Sequence, residues 1–179
     1  MDRVAGNLAK AFALLVGAPV LGLLSYDSLA VRPHIADLRS VLSNANPLDA
    51  EPPKLVRDLI DANSGSPTPY ATRLVVNRVY GEQTHAKWHV RSALWRLLLP
   101  LHFTDMEMYG FYATLAYNGR DLGLGNFAAR EYRKPMDRLS PEEAAHVVAI
   151  THHPSGYIKD RERHTRRAQL LLVKSGHTD

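Results

Sequence analysis

Two helix-start signals lie in the second half of the chain and constrain its fold more than any other feature. A hydroxyl residue is followed three positions later by a glutamate twice, once at Thr104 with Glu107 and once at Ser140 with Glu143. This spacing is a capping box, in which the hydroxyl accepts a hydrogen bond from the backbone of the helix and the glutamate accepts one from the backbone of the cap. Pro141 suits the first position of the second helix. The pattern predicts that a helix begins directly after each hydroxyl residue.

Composition narrows the class of protein. The chain has 179 residues, of which 45% are hydrophobic and 22% charged, as is typical of a globular domain. It contains no cysteine, which excludes a disulfide framework, a thiolate nucleophile and a cysteine-based metal site. The net charge of +4 is a mild basic bias that suits anionic lipid, pyrophosphate or nucleic acid and selects none of them.

An uncharged run, Ala11–Tyr26, follows Arg3 and Lys10 near the N-terminus. A full membrane span takes about 20 apolar residues, and the core of a signal peptide about 7–15. We expect residues 1–27 to form a short signal-anchor (transmembrane) helix with its N-terminus in the cytoplasm. The long side chain of Lys10 would extend along this helix to the lipid headgroups. A cleaved signal peptide, with a weak cleavage site at residues 28–30, and a buried core helix are the alternatives.

Apolar residues recur at helical spacing along most of the remaining chain. Besides the two capped helices, the predicted helices cover residues 34–43, 54–62, 70–80, 85–101 and 160–174, the last with Gly176 as its C-cap. Residues 28–53 are expected to form a connecting arm, and residues 63–69 a loop because they are rich in Gly, Ser and Pro. No strand alternation persists, so the sequence predicts an all-α fold with at most a small hairpin and a main domain over residues 54–176.

Four segments of the chain match a family pattern in order. They are Asp105–Met108 with Tyr112, Tyr117 and Gly119; Ala128–Pro135; Leu139–Ala145; and Pro154–Tyr157. At this order and spacing they resemble glycosyltransferase family 51, the peptidoglycan transglycosylases that occur alone or fused in bifunctional penicillin-binding proteins. Leu74 and Asn77 extend the resemblance upstream, so that it covers most of residues 54–175.

The resemblance implies an all-α, lysozyme-like domain with an N-terminal membrane helix. It implies an inner-membrane protein with a single span and its domain on the periplasmic side, where lipid-linked disaccharide is polymerised. The implied partners are membrane lipid, a lipid-linked disaccharide-peptide or glycan chain, and other cell-wall synthesis proteins, with no nucleic acid expected. No cofactor follows from the residues themselves, and a divalent metal such as Mg²⁺ is implied by the resemblance alone.

The residues that carry the family's chemistry are not found. The reaction needs a base to take the proton of the acceptor hydroxyl, and family members supply it as a glutamate in an E-D-x-x-F-x-x-H motif. The matching place here reads Asp61-Ala62-Asn63-Ser64, with no Phe or His behind it. The second family glutamate, from an R-K-x-K-E motif, falls on Ser92. We therefore assign no catalytic residue and expect a protein that binds lipid-linked glycan or a partner without polymerising it.

Three cations are candidates for binding the diphosphate of such a ligand. Arg91 falls where the family carries the lysine of R-K-x-K-E, and Arg73 and Lys134 lie in other matched segments. Each is also compatible with an ordinary solvated surface charge. Glu82 is the candidate for a replacement base, which leaves an active but divergent transglycosylase as an alternative.

Two further patterns allow more than one interpretation. His85 and His89 have an i, i+4 spacing that can hold a metal, but no third ligand accompanies them, so no metal site is expected. The basic cluster Arg161–Arg167 suits lipid headgroups or a diphosphate, and equally a solvated helix face. A small helical regulatory or nucleic-acid-binding protein is a further alternative, which only the basic balance supports.

Overall fold

The structure, a computed structural model, describes residues 13–177. It divides the chain into two compact units at the boundary between Asp37 and Leu38. The first part of the expected signal-anchor, residues 1–12, lies outside the described residues. Residues 38–53, expected in the connecting arm, belong to the second unit, because this segment is largely helical and supplies residues to the core.

The N-terminal unit is helical throughout its described part. Helix α1, Ala18–Tyr26, continues from a π-helical turn at Ala13–Gly17 into a second one at Asp27–Val31, followed by a 3₁₀ turn at Arg32–His34. One helix, Leu15–Ser43, is long and apolar enough to cross a membrane. This property agrees with the expected N-terminal span, whereas the crossing itself stays a prediction.

Helices also build the second unit. They are α2 (Ile35–Ser43, which begins before the unit boundary), α3 (Pro47–Ala50), α4 (Lys54–Ser64), α5 (Thr68–Tyr80), α6 (His85–Leu98), α7 (Asp105–Leu115), α8 (Leu124–Tyr132), α9 (Pro141–Ala149), α10 (Pro154–Tyr157) and α11 (Arg161–Ser175). Short 3₁₀ turns cover Leu99–Leu101, Met136–Arg138 and Ile150–His152. Within residues 13–177 the only β structure is a single bridge between Tyr117 and Leu122, so the all-α prediction is confirmed.

Both predicted capping boxes form. Thr104 Oγ1 accepts a hydrogen bond from the Glu107 backbone at 3.3 Å, while Glu107 Oε2 accepts one from the Thr104 backbone at 2.8 Å. Ser140 and Glu143 make the same exchange at 3.3 and 2.9 Å. The local chemistry of four residues therefore sets the start of α7 and of α9.

Helix α7 forms the centre of the domain. Its Met108, Phe111, Tyr112 and Ala113 are fully buried, and it packs against α3, α5 and α8. A second group of helices, α4, α9 and α11, packs together beside it. Close approach of α3 to α7 depends on Gly110, since a Cβ there would lie 2.5 Å from the Ala50 carbonyl oxygen.

The loop predicted at residues 63–69 is shorter than expected. Helix α4 runs on to Ser64 and α5 already begins at Thr68. Gly65 ends α4 in the left-handed conformation (φ 78°), and proline stands in the first turn of α5. The Gly and Pro residues are helix boundaries here, and they leave only three residues between the two helices.

Candidate functional site

Helices α5 and α6 form a hairpin whose open side carries the candidate site. Trp88 on α6 donates from Nε1 to Asn77 Oδ1 on α5 at 2.7 Å. The Arg73 guanidinium lies 5.3 Å from the centre of the Trp88 ring, a distance at which the cation is attracted to the ring face. A cleft of about 810 Å³, named the α5–α6 cleft below, is lined by Arg73, Asn77, Gly81, Glu82, Gln83, His85, Trp88 and His89.

Arg91 is positioned beside this cleft by two contacts. Its Nη1 donates to Gln83 Oε1 at 2.6 Å, and its guanidinium lies 4.1 Å from the centre of the Tyr80 ring. Gln83 lines the cleft, so Arg91 adjoins it through that side chain. A guanidinium has five N–H donors, and the Gln83 bond uses one of them. The structure therefore brings two of the predicted cations, Arg73 and Arg91, to one hairpin.

Lys134 lies elsewhere. Its ammonium donates to both oxygens of Glu143 at 2.7 and 2.8 Å, which ties the segment after α8 to the start of α9. The Lys134 hydrogen bond holds the pKa of Glu143 below its usual range. Lys134 is not among the residues that line the α5–α6 cleft. The three cations predicted from sequence thus do not form one site, and the contact that holds Lys134 is intramolecular.

Glu82 stands at the rim of the α5–α6 cleft. The side chain is exposed and follows Gly81, which turns the chain out of α5 with φ 60°. Among the lining residues Glu82 supplies the carboxylate, and Arg73 supplies the cation. This placement keeps open the alternative in which Glu82 acts as a base.

A polar centre includes Asn63, which lies in the segment matched to the first family glutamate. We use this name for Asn63, Tyr70, Tyr112, Thr151 and Arg167, which come from α4, α5, α7, the turn after α9, and α11. Asn63 donates from Nδ2 to Tyr112 OH at 3.0 Å and to Thr151 Oγ1 at 3.3 Å. Arg167 donates from Nη2 to Asn63 Oδ1 at 2.5 Å. The Asn63 amide therefore joins helices that are distant in sequence.

Hydrogen bonds also fix the roles of the hydroxyls in the polar centre. Thr151 donates its proton to the Val148 carbonyl at 2.9 Å, so in its 2.8 Å contact with Tyr112 the tyrosine is the donor. Tyr70 donates to the Thr151 carbonyl at 3.2 Å, and its ring lies 4.7 Å from that of Tyr112. Burial raises the pKa of Tyr112 to about 12. No member of the polar centre is a group that accepts a proton near neutral pH.

Asp61, two residues before Asn63 on α4, is the carboxylate nearest in sequence to the polar centre. Its Oδ2 accepts a hydrogen bond from Tyr109 OH at 2.6 Å. The pKa of the Tyr109 hydroxyl is raised, mainly because the group is buried and to a smaller extent because it donates to Asp61. Ser92, which falls on the second family glutamate, has its Oγ buried with no hydrogen-bond partner. Asp61 therefore presents a carboxylate that is hydrogen-bonded at Oδ2 and has no partner at Oδ1, whereas Ser92 presents no carboxylate.

Within residues 13–177 no group of three or more His, Asp or Glu side chains is arranged to hold a metal ion. The rings of His85 and His89 stack at 5.6 Å, as neighbours on one helix face. Mg²⁺ sites in phosphate enzymes use one or two carboxylates together with the phosphates of the substrate, and Glu82 is the carboxylate that the cleft offers.

Two functional features escaped the sequence analysis. The polar centre was missed because Tyr70, Thr151 and Arg167 carry no motif in common and meet only in the fold. The pairing of Trp88 with Asn77 was missed because the two residues lie on different predicted helices, and the sequence does not show that their side chains meet. The basic cluster Arg161–Arg167 separates in the structure: Arg167 enters the polar centre, while Arg166 pairs with Glu162 at 2.6 Å.

In comparisons with known proteins, no protein-family model and no curated protein sequence matched the chain. The resemblance to glycosyltransferase family 51 therefore rests on the sequence motifs alone.

Proposed function

We propose that this chain is a membrane-anchored, transglycosylase-like protein of cell-wall assembly that binds a lipid-linked glycan precursor without polymerising it. The observation that carries the proposal is the Arg73–Trp88 pair, which lines the α5–α6 cleft with Arg91 beside it. The lysozyme-like form of the domain, its periplasmic placement on the inner membrane, and association with other cell-wall synthesis proteins are parts of the same proposal.

The chemistry of the cleft matches the chemistry of such a ligand. A diphosphate carries charge that two guanidiniums bind well, because their N–H groups match phosphate oxygens. Sugar rings offer an apolar face to an indole and hydroxyls to amides, and the cleft provides Trp88 together with Asn77 and Gln83. The mild positive charge of the whole chain favours the same class of ligand.

Loss of polymerisation follows from the two family positions. Polymerisation requires a base within hydrogen-bond reach of the acceptor hydroxyl. At the first position Asp61 presents a carboxylate that accepts a hydrogen bond from Tyr109 and lacks the Phe and His of the family motif, and at the second Ser92 offers a hydroxyl, which does not replace a carboxylate. The second candidate function is an active, divergent transglycosylase, and the placement of Glu82 in the cleft lining is the observation that favours it.

A binding measurement on the full chain in lipid nanodiscs tests the proposal. We expect the wild type to bind a lipid-linked disaccharide-peptide, and Arg73→Gln and Arg91→Gln each to weaken binding about tenfold, equivalent to ~1.4 kcal/mol. Arg78→Gln is the matched control, because Arg78 is an exposed arginine of the same helix that does not line the cleft. Equal affinity for all four proteins, or no binding by the wild type, refutes the proposed ligand site.

Polymerisation is measured separately with the same substrate. We expect no glycan product from the wild type. Glycan that forms with the wild type and disappears with Glu82→Gln establishes the active transglycosylase instead.

The side of the membrane on which the domain lies is measured in cells with an Arg120→Cys variant, since Arg120 is exposed on the turn before α8 and the sequence has no other cysteine. A membrane-impermeant maleimide added to cells with a permeabilised outer membrane should label it, whereas labelling only after lysis contradicts the periplasmic placement.

A further inference from the structure

A small pocket lies where α8, α10 and α11 meet. Its volume is about 90 Å³, and it shares no lining residue with the α5–α6 cleft. An engineered protein cavity of about 150 Å³ binds benzene, so this pocket has room for a small molecule or for the head group of a larger one. We call it the α8–α11 pocket, and its lining includes Phe127, Glu131, Ile150, Tyr157, Arg161 and His164.

His164 is a buried side chain of this lining, and one of its ring nitrogens has no partner. Its Nε2 lies 2.8 Å from the His146 carbonyl oxygen, and because a carbonyl can only accept, Nε2 carries the proton. Burial lowers the pKa of His164, so the ring is neutral at pH 7 and Nδ1 keeps its lone pair. Within residues 13–177 no group donates to Nδ1. A ligand with an N–H group can therefore donate to this nitrogen from the pocket.

Charges of both signs line the same pocket. Arg161 and Glu131 are exposed at its opening, whereas His164 lies inside. In the part of the chain that the structure describes, the Arg161 guanidinium makes no hydrogen bond and no ion pair. Glu131 accepts from Arg130 Nε at 3.4 Å through Oε1, and its Oε2 has no partner among the same residues. The pocket therefore combines an unpaired guanidinium, a carboxylate oxygen and the lone pair of His164.

Apolar side chains form the rest of the lining and hold the imidazole in place. Phe127, Ile150 and Tyr157 are all buried. The Tyr157 ring stacks on the His164 ring at 5.2 Å, and the Phe127 ring meets it edge to face at 6.2 Å. A ring that is already fixed loses little conformational freedom when a ligand binds, which favours affinity.

We infer that the α8–α11 pocket binds the head group of a free α-amino acid, with its ammonium group at Glu131 and His164 Nδ1 and its carboxylate at Arg161. An ammonium group has three donors, enough for both acceptors, and a guanidinium can bind both oxygens of a carboxylate. Glu131 repels a simple anion and Arg161 repels a simple cation, whereas a zwitterion pairs with both. The small volume favours alanine or a side chain that extends through the opening. This inference goes beyond the proposed function and does not rest on it.

Nuclear magnetic resonance on the full chain in detergent micelles tests the inference, with L-alanine as the probe. Histidine is labelled with nitrogen-15, and the Nδ1 signal of His164 is followed during the titration, because this signal moves upfield when the nitrogen accepts a hydrogen bond. We expect a saturable upfield shift with alanine. N-acetylalanine lacks the ammonium group and alaninamide lacks the carboxylate, so each should bind at least tenfold more weakly.

Charge variants test the two ends of the ligand separately. Glu131→Gln and Arg161→Gln should each weaken alanine binding about tenfold. Glu162→Gln and Arg163→Gln are the matched controls and should leave it unchanged, because both residues are exposed in the first turn of α11 and do not line the pocket. Circular dichroism shows whether each variant keeps its helices.

Three results overturn the inference. The first is a His164 Nδ1 signal that does not respond to alanine. The second is binding of N-acetylalanine as tight as that of alanine, which indicates a simple anion site at Arg161. The third is equally tight binding of alaninamide, which indicates a simple cation site at Glu131. Since no glycan is present in these measurements, their failure is distinct from failure of the proposed ligand site in the α5–α6 cleft.

Discussion

Asp49 accepts a hydrogen bond from the backbone N–H of Gly125 at 2.8 Å, so that a carboxylate on α3 caps the first turn of α8. The carboxylate is buried, and the two glycines next to it make room for it. A Cβ on Gly123 or Gly125 would lie 3.1 or 3.0 Å from Asp49 Oδ2. A negative group at a helix N-terminus is favourable, since the first backbone N–H groups there have no partner within the helix. The contact attaches the N-terminal part of the domain to α8.

The Asp49 carboxyl should make stability depend on pH. Burial raises its pKa from 3.8 to about 6, against the opposing effect of the Gly125 and Leu124 backbone N–H groups. The folded state then binds the proton more tightly than the unfolded chain, so the stability gained is present below pH 4 and is lost as the pH rises through 6. Relative to Asp49→Asn, which does not titrate, the wild type should gain ~2–3 kcal/mol in free energy of unfolding between pH 7.5 and 4. Urea unfolding at both pH values measures it, and a difference that does not change with pH contradicts the prediction.

Gly110→Ala should destabilise the domain strongly. The added methyl group would meet the Ala50 carbonyl oxygen at 2.5 Å, and a backbone atom cannot move aside as a flexible side chain does. Separation of α3 from α7 should cost about 1–3 kcal/mol or more, although alanine favours a helix over glycine by about 1 kcal/mol. Gly22→Ala is the control, because a Cβ there meets no atom within 4 Å. The midpoint of thermal unfolding, measured for both variants, should be lower for Gly110→Ala than for Gly22→Ala. Similar midpoints would mean that α3 and α7 are not held at this distance.

The polar centre should depend more on Asn63 than on Tyr112. Asn63→Ala removes the acceptor of Arg167 and the donor to Tyr112 and Thr151, which leaves the part-buried Arg167 Nη2 unpaired and should cost about 2–3 kcal/mol in free energy of unfolding. Tyr112→Phe keeps the ring and removes one hydroxyl, so it should cost about 1 kcal/mol. The double variant should lose less than the sum of the two, since both remove the Asn63–Tyr112 bond. Additive losses would show that the two side chains act independently.

Acid should destabilise the junction of α9 and α11 through two histidines. The His164 ring stacks on Tyr157 at 5.2 Å and meets the His146 ring edge to face at 4.8 Å. Burial lowers the pKa of both histidines below 6.5. The unfolded chain therefore takes up protons first, and stability falls as the pH drops below 6.5 towards the folded-state values. Measured in the Asp49→Asn background, the free energy of unfolding should fall between pH 7 and 5, and His146→Gln with His164→Gln should flatten that fall. An equally steep fall in the histidine variant would place the acid sensitivity elsewhere.

Local chemistry explains what could be predicted from the sequence. The capping boxes at Thr104 and Ser140 and the C-cap at Gly176 were all confirmed, because each depends on residues within one helical turn. The all-α class follows from spacing that is repeated along the chain. The start of α8 could not be predicted in the same way, since Asp49, which caps it, lies 76 positions earlier.

At the candidate site, too, the features that could be predicted depend on residues close together in the sequence. Arg73 and Arg91 could be selected as cations from motif positions, and the hairpin of two adjacent helices brings them to one place. Lys134 was selected by the same reasoning, but Glu143 lies close enough in the fold to neutralise it. The sequence did not single out Asn118 as a structural residue. It is fully buried, and it donates to the Gly123 carbonyl at 2.9 Å, which holds the turn before α8. A buried asparagine in a turn cannot be told from an exposed one by residue type.

Arg167 and Asn63 are separated by 104 positions, and their hydrogen bond has a consequence for the order of events during synthesis. Arg167 must leave the ribosome before α11 can close the polar centre. Until then Asn63, Tyr112 and Thr151 are present without their guanidinium partner, and the emerging chain is an incomplete bundle. Truncation before residue 167 should therefore yield a protease-sensitive product, because the polar centre then lacks the hydrogen bond from Arg167 to Asn63.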